Sequence, residues 1–258
     1  MRELFYISCV LAIAITTTAF SKEIDGTVIN TSNIKLFISK SQRPTVIVSH
    51  GCDGMRNTSY EKWARYIDSI GYNAVMYDSY APMKLSKVPC ELKGEWWDAH
   101  SSDRPREAEN ISYWIKEQPW HKGKIAIIGF SAGGATALYY ANSRTLLGKN
   151  ISAAIAFYPH CLDRQIGPKS NVSEGIWTMN IPTQVHLGTA DDWTPAYLCK
   201  IDNAEIITYP EATHAFDNDE GIGSATRRYL GHVMRYDKNS HNLSKLKIKE
   251  FLDKNLSD

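Results

Sequence analysis

The stretch that most limits what this chain can fold into is residues 127–134, Ile-Ile-Gly-Phe-Ser-Ala-Gly-Gly. An apolar run over 124–128 leads into it, and a helix-like run over 135–142 follows it. This order predicts a strand, a sharp turn and a helix, with Ser131 at a positive φ and its hydroxyl exposed as a nucleophile. Glycine is preferred two residues before and after the serine because side chains would collide there. A glycine-rich turn with a capping serine is the structural alternative.

Strand-like and helix-like segments alternate along the rest of the chain. Strands are predicted at 45–49, 73–77, 124–128, 151–157, 182–187 and 204–209, and helices at 60–70, 104–117 and 242–256. Near-continuous apolar strands separated by helices indicate a mostly parallel sheet with helices on both faces. An antiparallel N-terminal hairpin is expected from 23–30 and 34–40. We predict one α/β domain over 22–258, with functional residues just after the carboxyl ends of its strands.

The first 21 residues have the pattern of a signal peptide. Arg2 precedes an apolar stretch over 5–15, and small residues follow, which predicts cleavage after Ala19 or Ser21. An uncleaved membrane anchor is the alternative, although this stretch is short for a bilayer span. Removal of the leader would leave no membrane span and would place the protein in the periplasm or outside the cell.

Four cysteines remain after the leader, and an even number fits an oxidising compartment. They are Cys52, Cys90, Cys161 and Cys199. They allow three pairings, and four free buried thiols are the alternative. The 29 basic and 28 acidic residues are interleaved, which argues against nucleic acid as a partner. No spacing of cysteine and histidine indicates a metal site.

Two residues after the serine have the positions that a catalytic acid and base require. A serine hydroxyl needs an imidazole to accept its proton and a carboxylate to orient that imidazole, and in hydrolases of this topology the acid precedes the histidine. Asp191 follows the predicted strand 182–187 and is the preferred acid, with Asp192 as second choice. His214 follows the last predicted strand. The predicted triad is therefore Ser131, Asp191 and His214.

An oxyanion hole would need two backbone amides near the serine. One is the amide of Ala132, directly after the nucleophile, and the other comes from the loop after an earlier strand. That loop is 49–54, Ser-His-Gly-Cys-Asp-Gly, in which we choose the Cys52 amide. His50 precedes the nucleophile, so we expect it to pack or hydrogen-bond at the strand end rather than act as a base.

Taken together, these motifs resemble the dienelactone hydrolase family of the α/β-hydrolase superfamily. The matching segments are 50–54, 77–80, 106–108, 129–134, 157–159, 188–195 and 209–216. The resemblance implies an α/β-hydrolase fold and the same triad. The enzymes that gave the family its name use a cysteine nucleophile, whereas this chain has Ser131. They also bind the substrate carboxylate with arginines, one of them shortly after the histidine. Residues 217–220, Asp-Asn-Asp-Glu, form an acidic stretch here, so we expect repulsion of an anionic acyl group.

The sequence therefore predicts an exported serine hydrolase that cleaves a small carboxylic ester, thioester or lactone through an acyl-enzyme. No cofactor is needed. A peptidase or acyltransferase with the same triad, and a non-catalytic binding protein that kept the fold, are the alternatives. Four aromatic side chains are candidates for the substrate pocket, namely Trp96, Trp97, Tyr158 and Trp193.

The strand-end rule also bears on the cysteines. Cys161 and Cys199 follow neighbouring strand ends, which favours a disulfide between them. Cys52 would then pair with Cys90, across the oxyanion loop. Such a bond would stiffen that loop.

Overall fold

The computed structural model describes residues 21–24, 27–85, 87–92, 103–142, 150–161, 176–220 and 225–257. Residues 1–20 of the predicted signal peptide lie outside these ranges, as do Trp96 and Trp97. Within the described ranges, no helix has both the length and the apolar character needed to span a membrane.

Strands and α-helices alternate through the middle of the described chain, from residue 43 to residue 157, as the sequence predicts. The strands are β1 (Ser21–Ile24), β2 (Thr27–Asn30), β3 (Ile34–Phe37), β4 (Arg43–Ser49), β5 (Asn73–Tyr77), β6 (His121–Phe130), β7 (Ile151–Phe157), β8 (Ile176–Thr178), β9 (Thr183–Gly188), β10 (Lys200–Asp202), β11 (Glu205–Tyr209), β12 (Arg227–Tyr229) and β13 (His232–Met234). The α-helices are α1 (Ser59–Ser69), α2 (Arg104–Lys116), α3 (Ala132–Ala141) and α4 (Lys238–Leu256).

A seven-stranded sheet in the order β11-β9-β7-β6-β4-β5-β3 forms the centre of the molecule. All neighbouring strands are parallel except β3, which runs antiparallel to β5 at one edge. Every residue of β5 and β9 is buried, because helices cover both faces of the sheet. This arrangement confirms the predicted α/β class and the mostly parallel sheet.

Successive residues of the central strands contribute to two separate cores. Val46 and Val48 of β4 pack with α1 and α4 on one face, whereas Ile47 packs with α2 and α3 on the other. This division follows from the two-residue period of a strand. The strand ends therefore lie between two buried cores, at the edge where the loops begin.

The antiparallel strand pair at the start of the chain is present, but its partners differ from those predicted. β1 pairs with β2, whereas the segment that begins at Ile34 forms β3 and joins the edge of the central sheet. Ile34 and Phe37 pack against the two cores there. An isolated hairpin would have left these side chains without that cover.

Helix α4 also begins earlier than its apolar spacing indicates. The prediction started at residue 242, whereas the helix starts at Lys238. The Asp237 carboxylate accepts a hydrogen bond from the Ser240 amide at 2.7 Å, which is an N-cap contact. A cap is a polar signal, so an argument from apolar periodicity alone misses it.

Both disulfides favoured by the sequence are present. Cys52 is bonded to Cys90 and Cys161 to Cys199, with Cα–Cα distances of 5.0 and 5.1 Å. Each bond joins residues 38 positions apart in the chain. Both lie beyond the carboxyl ends of the central strands, in the loops that surround the predicted site.

Candidate active site

Ser131 occupies the sharp turn between β6 and α3. Its backbone has φ 52° and ψ −113°, and its amide donates to the Phe157 carbonyl at 2.9 Å. A Cβ at Gly129 would come within 3.0 Å of Gly133 backbone atoms, and one at Gly133 within 3.0 Å of the Ser49 carbonyl. The two glycines are therefore required by close backbone approach, and the strained turn presents the serine hydroxyl to a cavity.

The three side chains of the predicted triad meet in one hydrogen-bonded row. His214 Nε2 lies 3.1 Å from Ser131 Oγ, and His214 Nδ1 lies 2.8 Å from Asp191 Oδ2. Asp191 and His214 are only 5% and 3% exposed. Ser131, by contrast, lines the cavity and is open to a substrate.

Asp191 is held as an ionised hydrogen-bond acceptor. Its Oδ1 accepts the backbone amides of Trp193 and Thr194 at 2.9 and 2.8 Å. Burial acts to raise the pKa of Asp191, but the charge of His214 and the hydrogen bonds from His214 and Thr194 outweigh it and lower that pKa. The carboxylate can therefore stabilise a protonated imidazole.

Asp192, the second choice for the acid, has a different position. Its side chain is 46% exposed, and it accepts a hydrogen bond from the Val233 amide at 3.1 Å. It lies 3.5 Å from His232 rather than against His214. Of the two neighbouring acids, only Asp191 touches the histidine of the row.

The orientation of the Cys52 amide is set by its neighbours in the 49–54 loop. The Gly51 carbonyl accepts hydrogen bonds from His50 Nδ1 at 2.7 Å and from the Gly54 amide at 3.2 Å. The C=O and N–H of a trans peptide point in opposite directions, so the Cys52 amide points away from these donors. Cys52 itself lines the cavity beside Ser131.

His50 is a structural histidine, as the sequence predicts. It is 1% exposed, and its Nε2 accepts the Ser79 amide at 3.1 Å. Burial, with a smaller effect from Arg104, lowers the pKa of His50 to about 3. The ring is therefore neutral, with its proton on Nδ1. Arg104, also buried, donates to the His50 carbonyl at 2.7 Å and braces the same loop.

The other amide considered for the oxyanion hole, that of Ala132, opens helix α3. The first amides of a helix have no acceptor within the helix. This amide also lies at the positive end of the helix dipole, where negative charge is stabilised.

A cavity of about 580 Å³ surrounds the serine. Two of the predicted pocket residues, Tyr158 and Trp193, line it, and their rings lie 4.7 and 5.0 Å from the His214 ring. The Tyr158 hydroxyl is not directed at a substrate, because it donates to Asp217 at 2.8 Å. The Trp193 ring stacks on His232.

The hairpin of β12 and β13 forms one wall of this cavity, which the sequence did not reveal. Four of its residues line the cavity, namely Arg227, Arg228, Tyr229 and Met234. The backbones of Met234 and His214 also pair in an isolated β-bridge. Its strands are only three residues long, too short to give a readable pattern. Asp192 anchors it through the Val233 amide.

Two histidines in the polar C-terminal part of the chain pack against aromatic rings. His232 is half-buried against Trp193. His241 is 5% exposed and packs on Trp63, and burial lowers its pKa to about 4. The polar sequence around both histidines gives no signal that would predict these ring contacts.

Of the carboxylates at residues 217–220, for which we predicted repulsion of an anionic acyl group, only Glu220 lines the cavity. Asp217 is buried and accepts hydrogen bonds from Trp63 at 2.6 Å and from Tyr158. Asp219 and Glu220 lie 2.8 and 2.9 Å from Lys62. Three cationic side chains line the cavity, namely Arg56, Arg227 and Arg228. An acidic run in the sequence did not show where its side chains would point.

The chain matches the model of one protein family over residues 34–256, whose description is dienelactone hydrolase family. The chain belongs to the dienelactone hydrolase family. Membership supports a hydrolase and agrees with the resemblance found from the motifs. In this family member, no group of three or more His, Cys, Asp or Glu side chains among the described residues is placed to hold a metal ion.

Solved structures of similar fold include several esterases. A dienelactone hydrolase-like promiscuous phosphotriesterase from metagenomic libraries is 21% identical, with a TM-score of 0.63, over 85% of this chain and 89% of its own. Esterase 2 of Thermogutta terrifontis, phosphorylated by paraoxon, is 19% identical, with a TM-score of 0.60, over 92% and 94%.

Est1E of Butyrivibrio proteoclasticus with bound ferulic acid is 17% identical, with a TM-score of 0.58, over 92% of this chain and 99% of its own. At such identities the likeness establishes the shared fold. A search of the curated proteins finds no match.

Proposed function

We propose that this protein is an exported serine hydrolase that cleaves a small carboxylic ester, thioester or lactone through an acyl-enzyme. The observation that carries the proposal is the row of hydrogen bonds from Asp191 through His214 to Ser131, at the wall of a cavity. A cavity of this size is in the range that takes small molecules.

In the proposed mechanism, Ser131 attacks the substrate carbonyl while His214 Nε2 accepts the hydroxyl proton. Asp191 fixes the tautomer, because its carboxylate requires the proton on Nδ1 and leaves Nε2 as the acceptor. His214 then gives the proton to the leaving group. Water enters with His214 as base again and releases the acyl group from the serine.

Negative charge on the carbonyl oxygen is stabilised by the amides of Cys52 and Ala132. These amides are fixed before the substrate arrives, Cys52 by the bonds to the Gly51 carbonyl and Ala132 by its place at the start of α3. Preorganised donors of this kind are among the largest contributions to acyl transfer.

A first test identifies the nucleophile. A fluorophosphonate should add one adduct to the folded wild type, on the peptide that holds Ser131, and none to Ser131→Ala. The same variant should lower kcat for a chromogenic ester by roughly 10⁴- to 10⁶-fold. Mass spectrometry and ester turnover are the measurements. A folded wild type that takes no adduct would favour the non-catalytic binding protein.

The acyl and leaving groups can be ranked on the same preparation. We expect turnover of short-chain esters, thioesters or lactones, and slow turnover of matched amides. Preference for amides, or transfer to an added alcohol or amine in place of water, would favour the peptidase or the acyltransferase.

A second test separates the two neighbouring acids. Asp191→Asn should lower kcat by roughly 10⁴-fold, because an amide in this place favours the wrong imidazole tautomer. Asp192→Asn is the matched control and should keep most of the activity, since Asp192 holds the hairpin and not His214. Equal losses in kcat would contradict the assigned role of Asp191.

A third test concerns the orientation of the Cys52 amide. His50→Leu removes the donor to the Gly51 carbonyl and should lower kcat by tens of fold, a part of the roughly 10²- to 10³-fold that loss of one oxyanion donor costs. His186→Leu is the control. His186 is also fully buried, bonded at both ring nitrogens and neutral, with its pKa lowered to about 3.

Both variants leave buried polar groups without partners, which costs about 1–3 kcal/mol per group, so both should lower the thermal midpoint. At temperatures well below the thermal midpoint, only His50→Leu should lower kcat. If His186→Leu lowers kcat as much, the effect of His50 is general destabilisation and not the oxyanion hole.

Export is proposed from the leader pattern together with the two disulfides. When the full chain is expressed in a host that exports it, the mature protein should begin at Phe20 or Lys22. Intact mass under non-reducing conditions is the measurement. A mature protein that still begins at Met1 would rule out the cleaved leader.

A further inference from the structure

The residue proposed to supply the second oxyanion donor is covalently fixed. Cys52 is bonded to Cys90, and the Cys90 amide also donates to the Cys52 carbonyl at 3.3 Å. Cys90 therefore holds Cys52 twice, once through the side chain and once through the backbone. His50 acts on the peptide before Cys52, whereas Cys90 acts on the peptide after it.

Cys90 lies in a short turn, Pro89–Glu91. Cys52, Val88 and Cys90 all line the cavity that holds Ser131. The disulfide is thus part of the cavity wall and not a distant clamp. A shift of the turn would be transmitted directly to the donor residue.

Within its own loop the Cys52 amide is held by the hydrogen bonds to the Gly51 carbonyl, and Cys90 adds a covalent support from outside that loop. Gly51 directly precedes Cys52. Gly54 lies two residues after Cys52 and has φ 68°. Glycine gives a backbone more freedom than any other residue. Asp53 is tied to Tyr60 at 2.6 Å and Arg104 holds the His50 carbonyl, but these contacts fix the flanks. An oxyanion donor must be placed within about 0.5 Å to be effective.

We propose that the Cys52–Cys90 disulfide is a positioning element of the oxyanion hole, so that full turnover requires this bond to be oxidised. The proposal rests on the proposed serine hydrolase function. Cys90 acts through Cys52 and does not itself meet the reacting atoms. The enzyme would consequently be active in an oxidising compartment and impaired wherever dithiols reduce this bond.

The second disulfide provides an internal control. Cys161–Cys199 also joins residues 38 positions apart, so the chain-entropy account assigns both bonds the same stabilisation. Neither Cys161 nor Cys199 belongs to the wall of the cavity as far as the chain is described. Loss of either disulfide should lower the free energy of unfolding by a similar amount, whereas only loss of Cys52–Cys90 should lower kcat.

The test compares Cys90→Ser with Cys199→Ser. Each variant leaves a buried partner, Cys52 at 8% and Cys161 at 4% exposed, and Cys90→Ser leaves the Cys52 amide intact. We expect Cys90→Ser to lower kcat for a chromogenic ester by at least tenfold, within the roughly 10²- to 10³-fold limit for one lost donor. KM should change by less than about threefold, because the donor acts mainly in the transition state.

Cys199→Ser should keep kcat near that of the wild type when both are measured well below their thermal midpoints. Affinity for a trifluoromethyl ketone, which forms a tetrahedral oxyanion adduct, should fall in parallel with kcat/KM in Cys90→Ser alone. Unchanged kcat in Cys90→Ser, or an equal fall in both variants, overturns the proposal. If the wild type has neither turnover nor a Ser131 adduct, the proposed function fails instead.

A redox titration covers the case in which Cys90→Ser does not fold. In Cys161→Ser/Cys199→Ser only the Cys52–Cys90 bond remains. Dithiothreitol breaks that S–S bond to two thiols, supplying two electrons and two protons, and is itself oxidised to the cyclic disulfide. We expect at least a tenfold fall in kcat on reduction, with near-ultraviolet circular dichroism retained, and recovery on reoxidation. Full activity with both thiols alkylated overturns the proposal.

Discussion

The hydrogen bond between the Asp191 carboxylate and the His214 ring is the interaction on which the rest of the site depends. Both groups are almost fully buried, and burial of a carboxylate is costly unless its oxygens are satisfied. Two backbone amides of the following turn and the imidazole meet that need, so the pKa of Asp191 stays low despite burial. The ring is then held with Nε2 toward Ser131, which is the orientation that the proposed mechanism requires.

The parallel sheet makes this meeting possible, and it explains why the site could be predicted from the sequence. β6, β9 and β11 end at the same edge, and the serine, the acid and the histidine follow those ends. The order of residues along the chain and the position after a strand end were therefore sufficient to predict that Ser131 and His214 lie close together. They favoured Asp191 over Asp192, but only the contact with His214 separates two acids that are adjacent in the chain.

Features that depend on side-chain direction or on very short elements could not be predicted. β3 has the alternation of a hairpin strand, yet the edge of the sheet offers its apolar side chains more cover. The wall formed by β12 and β13 consists of three-residue strands held by contacts with distant loops. Asp217 reads as part of an acidic surface run, whereas its carboxylate is buried between Trp63 and Tyr158. The pairing of β3, the position of the β12–β13 hairpin and the burial of Asp217 all depend on contacts with residues that are distant in the chain, so the local sequence does not predict them.

The placement of the two disulfides follows from the same division between sheet and loops. Strands and helices are held by ladders of hydrogen bonds, whereas the loops at the carboxyl edge lack such ladders. Both bonds join loops at that edge, and one ends at the residue beside the serine. Covalent bonds therefore add to the hydrogen bonds and buried side chains that hold these loops. Two disulfides are compatible with the oxidising compartment that we propose for this protein.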